Sequence, residues 1–268
     1  MMQLNPVEGE IFCVDKPLRL TSFAIVKKVR GVLRAHLGHY NLKVGHAGTL
    51  DPLATGVLLI VTGHATKRIE QLQSGVKEYV ANIRLGATTP SYDLETEVDA
   101  IYPWEHITRE QVERVLQEQF IGSIEQVPPA FSACKVDGKP AYKLARRGQD
   151  VAIRPKTLVV DEIELVECRL PDLVVRVVCS KGTYIRALAR DIGTALGSGA
   201  HLTGLRRTRV GDVTIDRCHT LDQLTDMLHE AHYVSPEQAE AERLEQEREA
   251  NRARALKMKE KRNKHKQQ

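Results

Sequence analysis

Nothing in these 268 residues reads as a leader or a membrane span. The opening Met-Met-Gln-Leu-Asn-Pro has no basic segment followed by an apolar one, so no secretory signal is expected. The longest apolar run, Val57 to Val61, is far short of the roughly 20 residues that a spanning helix needs. Cysteine is scarce: five, at 13, 134, 168, 179 and 218, an odd count with no CxxC pair. That excludes a disulfide framework and a zinc knuckle, and buried, inert thiols in a reducing cytoplasm are expected. His36 with His39, and His229 with His232, have i,i+3 spacing but no third ligand nearby, so no metal site is expected. No glycine-rich stretch runs into Gly-Lys-Ser/Thr, which removes the common phosphate cradle. No internal repeat is visible.

What is present suits a folded domain. Hydrophobic residues make up 42% and charged residues 28%, enough for a sizeable core. The formal charge of +4 permits a polyanionic partner without requiring one, so the distribution of charge matters more than its total. Residues 10–14 read as a short strand stopped by Asp15-Lys16-Pro17. Thr21 or Ser22 offers an N-cap for a helix over 21–36, with apolar residues at 25, 26, 29, 32 and 33. Residues 37–56 read as a loop, 57–61 as a buried strand, and 65–72 as a helix. Tyr79, Ala81, Ile83 and Leu85 alternate on one face of a strand. A helix follows at 108–120. Phe131–Val136 is strand-like, Asp137-Gly138 a tight turn, and 139–147 helical. Strands at 157–168 and 173–179 precede an amphipathic helix over 183–196, which ends at Gly197, a C-cap glycine. Strands over 203–215 close the globular part.

This order, without a regular βαβ repeat, predicts an α+β domain with a mixed, largely antiparallel sheet flanked by helices and loops. From about Ser235 a Glu-rich stretch (237–249) gives way to a Lys/Arg-rich one (251–266). The first reads as a solvated helix and the second as disordered. The expected division is a globular domain over 8–228 and a charged tail over 229–268.

The segment with most chemistry is Gly45-His46-Ala47-Gly48-Thr49-Leu50-Asp51-Pro52-Leu53-Ala54-Thr55-Gly56. Three glycines, a proline and one carboxylate before an apolar strand describe a shaped loop that presents Asp51 from a rigid base. Taken alone, Asp51-Pro52 reads equally as a turn or a helix cap. Arg186 lies in the first turn of the 183–196 helix, where the macrodipole disfavours a cation, and a partner carboxylate would account for it. Two basic clusters stand out: Lys135, Lys139, Lys143, Arg146 and Arg147 around Tyr142, and Arg206, Arg207 and Arg209 near Leu205. Either supplies phosphate contacts or is simply a solvated face.

The dodecamer resembles the signature of the TruB-type pseudouridine synthases, which make pseudouridine-55 in the tRNA T-loop. Other segments match in the family's order: Val14-Asp15-Lys16-Pro17 with Thr21-Ser22, Lys77-Glu78-Tyr79, Pro128–Ala133 with Asp137–Tyr142 and Ala145–Gly148, Cys179–Arg186, and Gly199–Leu202 with Leu205-Arg206-Arg207. Together they cover roughly residues 8–225. The resemblance implies a pseudouridine synthase fold and a tRNA T-arm substrate whose target uridine is flipped from its stack. It implies Asp51 as nucleophile, Tyr79 stacking on the base and Arg186 pairing with the nucleophile. Tyr184 and Leu205 would wall the base pocket, His46 would pack against the T-loop, and Lys16 would support the base-binding region. Read without the resemblance, Tyr79, Tyr184 and Leu205 are equally core residues, His46 a loop histidine and Lys16 a solvated turn residue.

The chemistry implied is isomerisation: the N-glycosidic bond breaks, the base turns and rejoins through carbon. With no redox step and no net hydrolysis, no cofactor and no metal are expected. The resemblance also shows departures. Many relatives carry a C-terminal PUA domain, whereas here only about forty residues, rich in charge, follow the catalytic region. Pro90-Ser91 stands where relatives often have Asp-Thr. A monomeric, cytoplasmic enzyme is expected. An isomerase of another RNA, a guide-RNA-dependent isomerase and a tRNA-folding chaperone remain the alternatives.

Overall fold

The structure is a computed structural model that describes residues 2–38, 40–132, 134–136, 138–145, 147 and 152–266. In chain order it contains β1 (Gln3–Leu4), β2 (Ile11–Lys16), α1 (Ser22–His36), β3 (Val44–Ala47), β4 (Ala54–Thr62), α2 (Ile69–Ser74), β5 (Lys77–Leu85), β6 (Ala87–Thr88), β7 (Ala100–Ile101), α3 (Arg109–Gln119) and β8 (Gly122–Gln126). There follow β9 (Lys135–Val136), β10 (Lys139–Pro140), α4 (Ala141–Ala145), β11 (Lys156–Arg169), β12 (Asp172–Cys179), α5 (Ile185–Ala195), β13 (Ala200–Val210), β14 (Val213–Thr214), β15 (His219–Thr220), α6 (Leu221–Glu230), β16 (His232–Tyr233) and α7 (Pro236–Lys266).

One sheet runs in the order β15-β2-β4-β13-β5-β12-β11-β8, with β3 on β4 and β14 on β13. Its pairings are antiparallel except β15 with β2 and β4 with β13. The mixed, largely antiparallel α+β fold expected from the sequence is therefore the one found. The parallel step matters most, because it lays Ala54, Thr55 and Gly56 beside Leu205, Arg206 and Arg207.

Of three apolar clusters among the described residues, the two largest hold most of the helices. On β5, the alternating Tyr79, Ala81, Ile83 and Leu85 are buried with Val175 and Val177 of β12 and with Ile185, Leu188 and Ile192 of α5. Each such Leu or Ile stabilises the fold by roughly 1.5–3 kcal/mol through lost apolar hydration. On the other part of the sheet, Val14, Leu58 and Ile60 meet Ile25, Val26, Val29 and Leu33 of α1 and Leu224 and Leu228 of α6. Thr21 caps α1 by accepting from the Ala24 N–H, which leaves the Ser22 hydroxyl free for another task. Gly197, with φ +69, ends α5 as expected.

Several expectations need correction. The 37–56 segment is not all loop: β3 pairs with β4, and β4 starts at Ala54 rather than Val57. Gly and His tolerate a strand when a partner strand supplies the hydrogen bonds, which local composition does not reveal. The strand-like stretch 131–136 reduces to Lys135–Val136, and the following helix to Ala141–Ala145. The basic stretch 251–266 continues α7 as helix. The segment after 228 starts within the body: β16 pairs with β1, and Ala239 is buried in the second core. Of the five cysteines, all free, Cys179 is buried and the others are half-buried. Burial pushes the Cys179 thiol up to about 11, in keeping with an inert group. His39, Asp137, Arg146 and Gly148, and the side chains of Lys135 and Tyr142, lie outside the described residues.

Two glycines test this packing in opposite senses. Gly56 has φ +103, and a Cβ there would lie 2.1 Å from the Arg207 carbonyl oxygen. Gly56→Ala is expected to cost about 3 kcal/mol or more. Gly31, inside α1, has nothing within 4 Å of an added Cβ. Gly31→Ala is expected to stabilise by about 0.5–1 kcal/mol, and thermal unfolding of the two variants checks both signs.

Candidate active site

The loop between β3 and β4 carries Asp51, and almost every carbonyl around it is bonded to a distant part of the chain. The Ser22 hydroxyl donates to the Leu50 carbonyl and accepts from the Leu50 N–H, both at 2.9 Å. The Pro52 carbonyl accepts from the Arg19 N–H at 2.8 Å and from Lys16 Nζ at 3.4 Å. Arg207 donates to Gly48 O at 3.0 Å, Thr49 O at 3.4 Å and Val57 O at 2.8 Å. A buried backbone group needs a partner, and here side chains supply it where no sheet ladder runs.

Arg186 completes the centre. Its Nε lies 2.9 Å from Asp51 Oδ2 and 3.7 Å from Asp93 Oδ2, and its side chain is 4% exposed. Nη1 donates to Ser91 O at 3.0 Å and Nη2 to Phe131 O at 2.9 Å. The carboxylate partners explain a cation in the first turn of α5. Nε makes no aligned hydrogen bond, so the Asp51 contact is an ion pair rather than a straight N–H···O bond. Burial pushes the Asp51 carboxyl above its usual range; Arg186 opposes this, while Asp93 and Glu95 add to it.

Two cavities, of about 640 and 300 Å³, meet at Asp51, Ala54, Arg186 and Leu205. Tyr79 and Tyr184 line the smaller one. Burial is the main cause raising both phenols. Gln126 fixes the Tyr184 backbone, accepting its N–H at 2.8 Å and donating to its carbonyl at 3.2 Å. The structure thus brings Asp51, Tyr79, Tyr184, Arg186 and Leu205 to one recess. Lys16 lies behind it, fully buried rather than solvated, donating to Pro17 O and Leu20 O at 2.9 and 2.7 Å. Burial lowers its ammonium to about 8. His46 sits on β3 opposite Ile60 and lines neither cavity.

The second basic cluster does not face outward as a group. Arg206 pairs with Asp15 at 2.7 Å, Arg209 lies 3.8 Å from Glu78, and Arg207 is 2% exposed. A register shift in β13 between Arg207 and Arg209 breaks the alternation that would have set them on predictable faces. Sequence reasoning named Ser22 only as a possible helix cap and, with Lys77, as part of matching segments, whereas Ser22 bonds the Asp51 loop and Lys77 lines the smaller cavity; it missed Asp93 and the inward course of Arg207. A carboxylate among neutral residues at 87–93 was the only signal for Asp93. Among the described residues, no three His, Cys, Asp or Glu side chains converge on a possible metal position, and no helix is long and apolar enough to cross a membrane.

Comparison with known proteins agrees with this arrangement. Residues 34–185 match the N-terminal domain of TruB family pseudouridylate synthases, and residues 186–245 match the C-terminal domain of tRNA pseudouridylate synthase B. Fold and site define a pseudouridylate synthase. More narrowly, the chain belongs to the TruB family. It is 64% identical to tRNA pseudouridine synthase B of Phocaeicola vulgatus over 225 residues, 84% of this chain and 95% of that one. With the protein of the same name from Flavobacterium johnsoniae it shares 50% identity, over 78% of this chain and 91% of the other. A solved H/ACA RNP bound to a substrate RNA containing 2'-deoxyuridine includes a chain 31% identical, with a TM-score of 0.60. That similarity covers 82% of this chain, which spans about half (54%) of the solved one.

A carboxylate that must be ionised to attack gives a rate that rises as pH rises through its pKa. Because Asp51 is raised, the acid limb of the single-turnover rate is expected above the ordinary Asp value of about 3.9. Arg186→Gln removes the opposing charge, and should move that limb further up while lowering the plateau rate. A pH–rate profile of both proteins reads the two shifts.

Proposed function

We propose that this protein isomerises a T-loop uridine of tRNA to pseudouridine, with Asp51 as nucleophile and Arg186 as its counter-ion. The observation that carries the reading is the Asp51–Arg186 pair at the junction of two cavities, beside Tyr79 and Tyr184. The uridine is extruded from its loop and its base enters the smaller cavity, at an unstacking cost of a few kcal/mol. Tyr79 stacks on it, and Tyr184 and Leu205 form the walls. Asp51 bonds to C1′ as the N1–C1′ bond breaks, and that electron pair stays on the base. The base turns, C5 bonds to C1′, and Asp51 leaves with its electron pair. The C5 hydrogen departs as a proton and N1 takes one from water, so the sequence of steps balances without a cofactor.

His46, on the strand feeding the loop, would meet the RNA outside the recess, and Lys16 would hold the loop from behind. The enzyme would act as a cytoplasmic monomer. The names and coverage of the curated relatives support a stand-alone tRNA enzyme over a guide-RNA-dependent one.

The direct test is tritium release from tRNA labelled at uridine C5. Wild type is expected to release it and Asp51→Asn to retain tRNA binding without release. Release by Asp51→Asn would remove the nucleophile assignment. Binding without release by folded wild type would favour a folding chaperone.

Among the described members of the first basic cluster, Lys139, Lys143 and Arg147 are exposed. Replacing all three with Ala should weaken tRNA binding and reduce the slope of log affinity against log salt by about 2. An unchanged slope in a salt titration would take these residues out of the RNA interface.

A further inference from the structure

Arg207 is the bulkiest of the fully buried side chains, in a strand where its neighbours behave differently. Arg206 and Arg209 lie against Asp15 and Glu78, but among the described residues Arg207 has no carboxylate within 4.0 Å. Each of its three guanidinium nitrogens donates instead to a backbone carbonyl. A buried cation held only by neutral acceptors is costly, and a smaller apolar or amide side chain would avoid that cost. Its retention needs a reason other than packing.

Its position supplies one. Gly48 O and Thr49 O precede Asp51 and Val57 O follows it, so a single guanidinium spans both ends of the loop that carries the nucleophile. The glycines of that loop fit around it. Gly56 faces Arg207 across the parallel strand pair with no room for a Cβ, and a Cβ at Gly48 would lie 3.5 Å from Arg207 Nη1. The Tyr79 hydroxyl lies beside the same guanidinium, which opposes the rise that burial imposes on this phenol. Arg207 also lines the smaller cavity. Its charge reaches other neighbours, contributing to the lowered values of Lys16 and Lys77, both about 8, and of His46.

We infer that Arg207 is a positioning residue of the isomerisation: bonded to both ends of the Asp51 loop and set beside Tyr79, it fixes the nucleophile relative to the base-stacking ring. Its uncompensated charge also gives the base pocket a standing positive potential while the base holds the electron pair of the broken N1–C1′ bond. Lysine at this position keeps the charge but not the planar three-way grip, and glutamine can keep part of the grip without the charge.

The test separates chemistry from binding and from folding. Single-turnover rates at saturating enzyme, tRNA affinity and thermal unfolding are measured for Arg207→Lys and Arg207→Gln. Arg207→Lys is expected to lower the rate roughly a hundredfold, with the tRNA Kd within about threefold of wild type. Arg207→Gln should fall further. If Arg207→Gln does not fold, Arg207→Lys alone decides. A folded Arg207→Lys with the wild-type rate, or a loss confined to Kd, overturns the inference, because a merely structural residue would lower the melting temperature and leave the rate of the folded fraction intact. The inference rests on Asp51 as nucleophile, and the two fail differently. Tritium release by Asp51→Asn sinks that assignment, whereas a silent Asp51→Asn beside a fully active Arg207→Lys sinks only the role of Arg207.

Discussion

The Asp51–Arg186 ion pair is the constraint around which the rest is arranged. A guanidinium that is 4% exposed meets a carboxylate that is 37% exposed, at the meeting point of two cavities. The two residues come from a loop before β4 and from a helix after β12, strands separated in the sheet by β13 and β5. β13, made after both residues, closes the sheet between them by pairing parallel to β4 and antiparallel to β5. The apolar packing of α5 on that sheet then sets the guanidinium's height above the loop. The Ser91 and Phe131 carbonyls take the donors that Asp51 leaves over, and Asp93 lies 3.7 Å from the Nε that faces Asp51. This keeps Arg186 in place whether or not Asp51 is engaged with substrate.

Much of this was legible before any coordinates. Strict alternation over Tyr79–Leu85 set β5, and the apolar stripe of residues 183–196 set α5 with its oddly placed cation. The dodecamer flagged the loop by its glycines. What stayed hidden has a physical cause in each case. β3 is held by its partner strand, so Val-Gly-His-Ala carries no strand signal of its own. Lys16 and Arg207 look solvated in one dimension because long cationic side chains usually are. They are buried here because uncapped carbonyls of a folded loop await them, and those carbonyls are invisible until the loop has a shape. The register shift in β13 likewise has no local sequence mark.

Those cations reveal a second organising feature. Lys16, Arg186 and Arg207 all donate to backbone carbonyls, and together with the Ser22 hydroxyl they satisfy the irregular segments around the recess. Ordered water could satisfy the same groups but exchanges easily. Covalently tethered donors do not, so the loop around Asp51 is stiff although it contains no helix and only short strand. Stiffness of this kind suits the role proposed for Asp51, which has to meet one atom of the substrate and no other.

Ser22, Arg19 and Lys16 precede the loop they bond, but its two guanidinium partners arrive late. Arg207 follows its acceptor Gly48 by 159 residues, and Arg186 lies just past the point where the two family matches meet. During translation, at ordinary elongation rates, the loop emerges on the order of ten seconds before the strand that completes it. Until then the Gly48 and Thr49 carbonyls lack their donor, and until α5 is made Asp51 has no counter-ion. A nascent chain stalled anywhere in that interval exposes the whole signature motif yet has no recess for a uridine, so synthesis itself withholds activity until the last strand of the site is made.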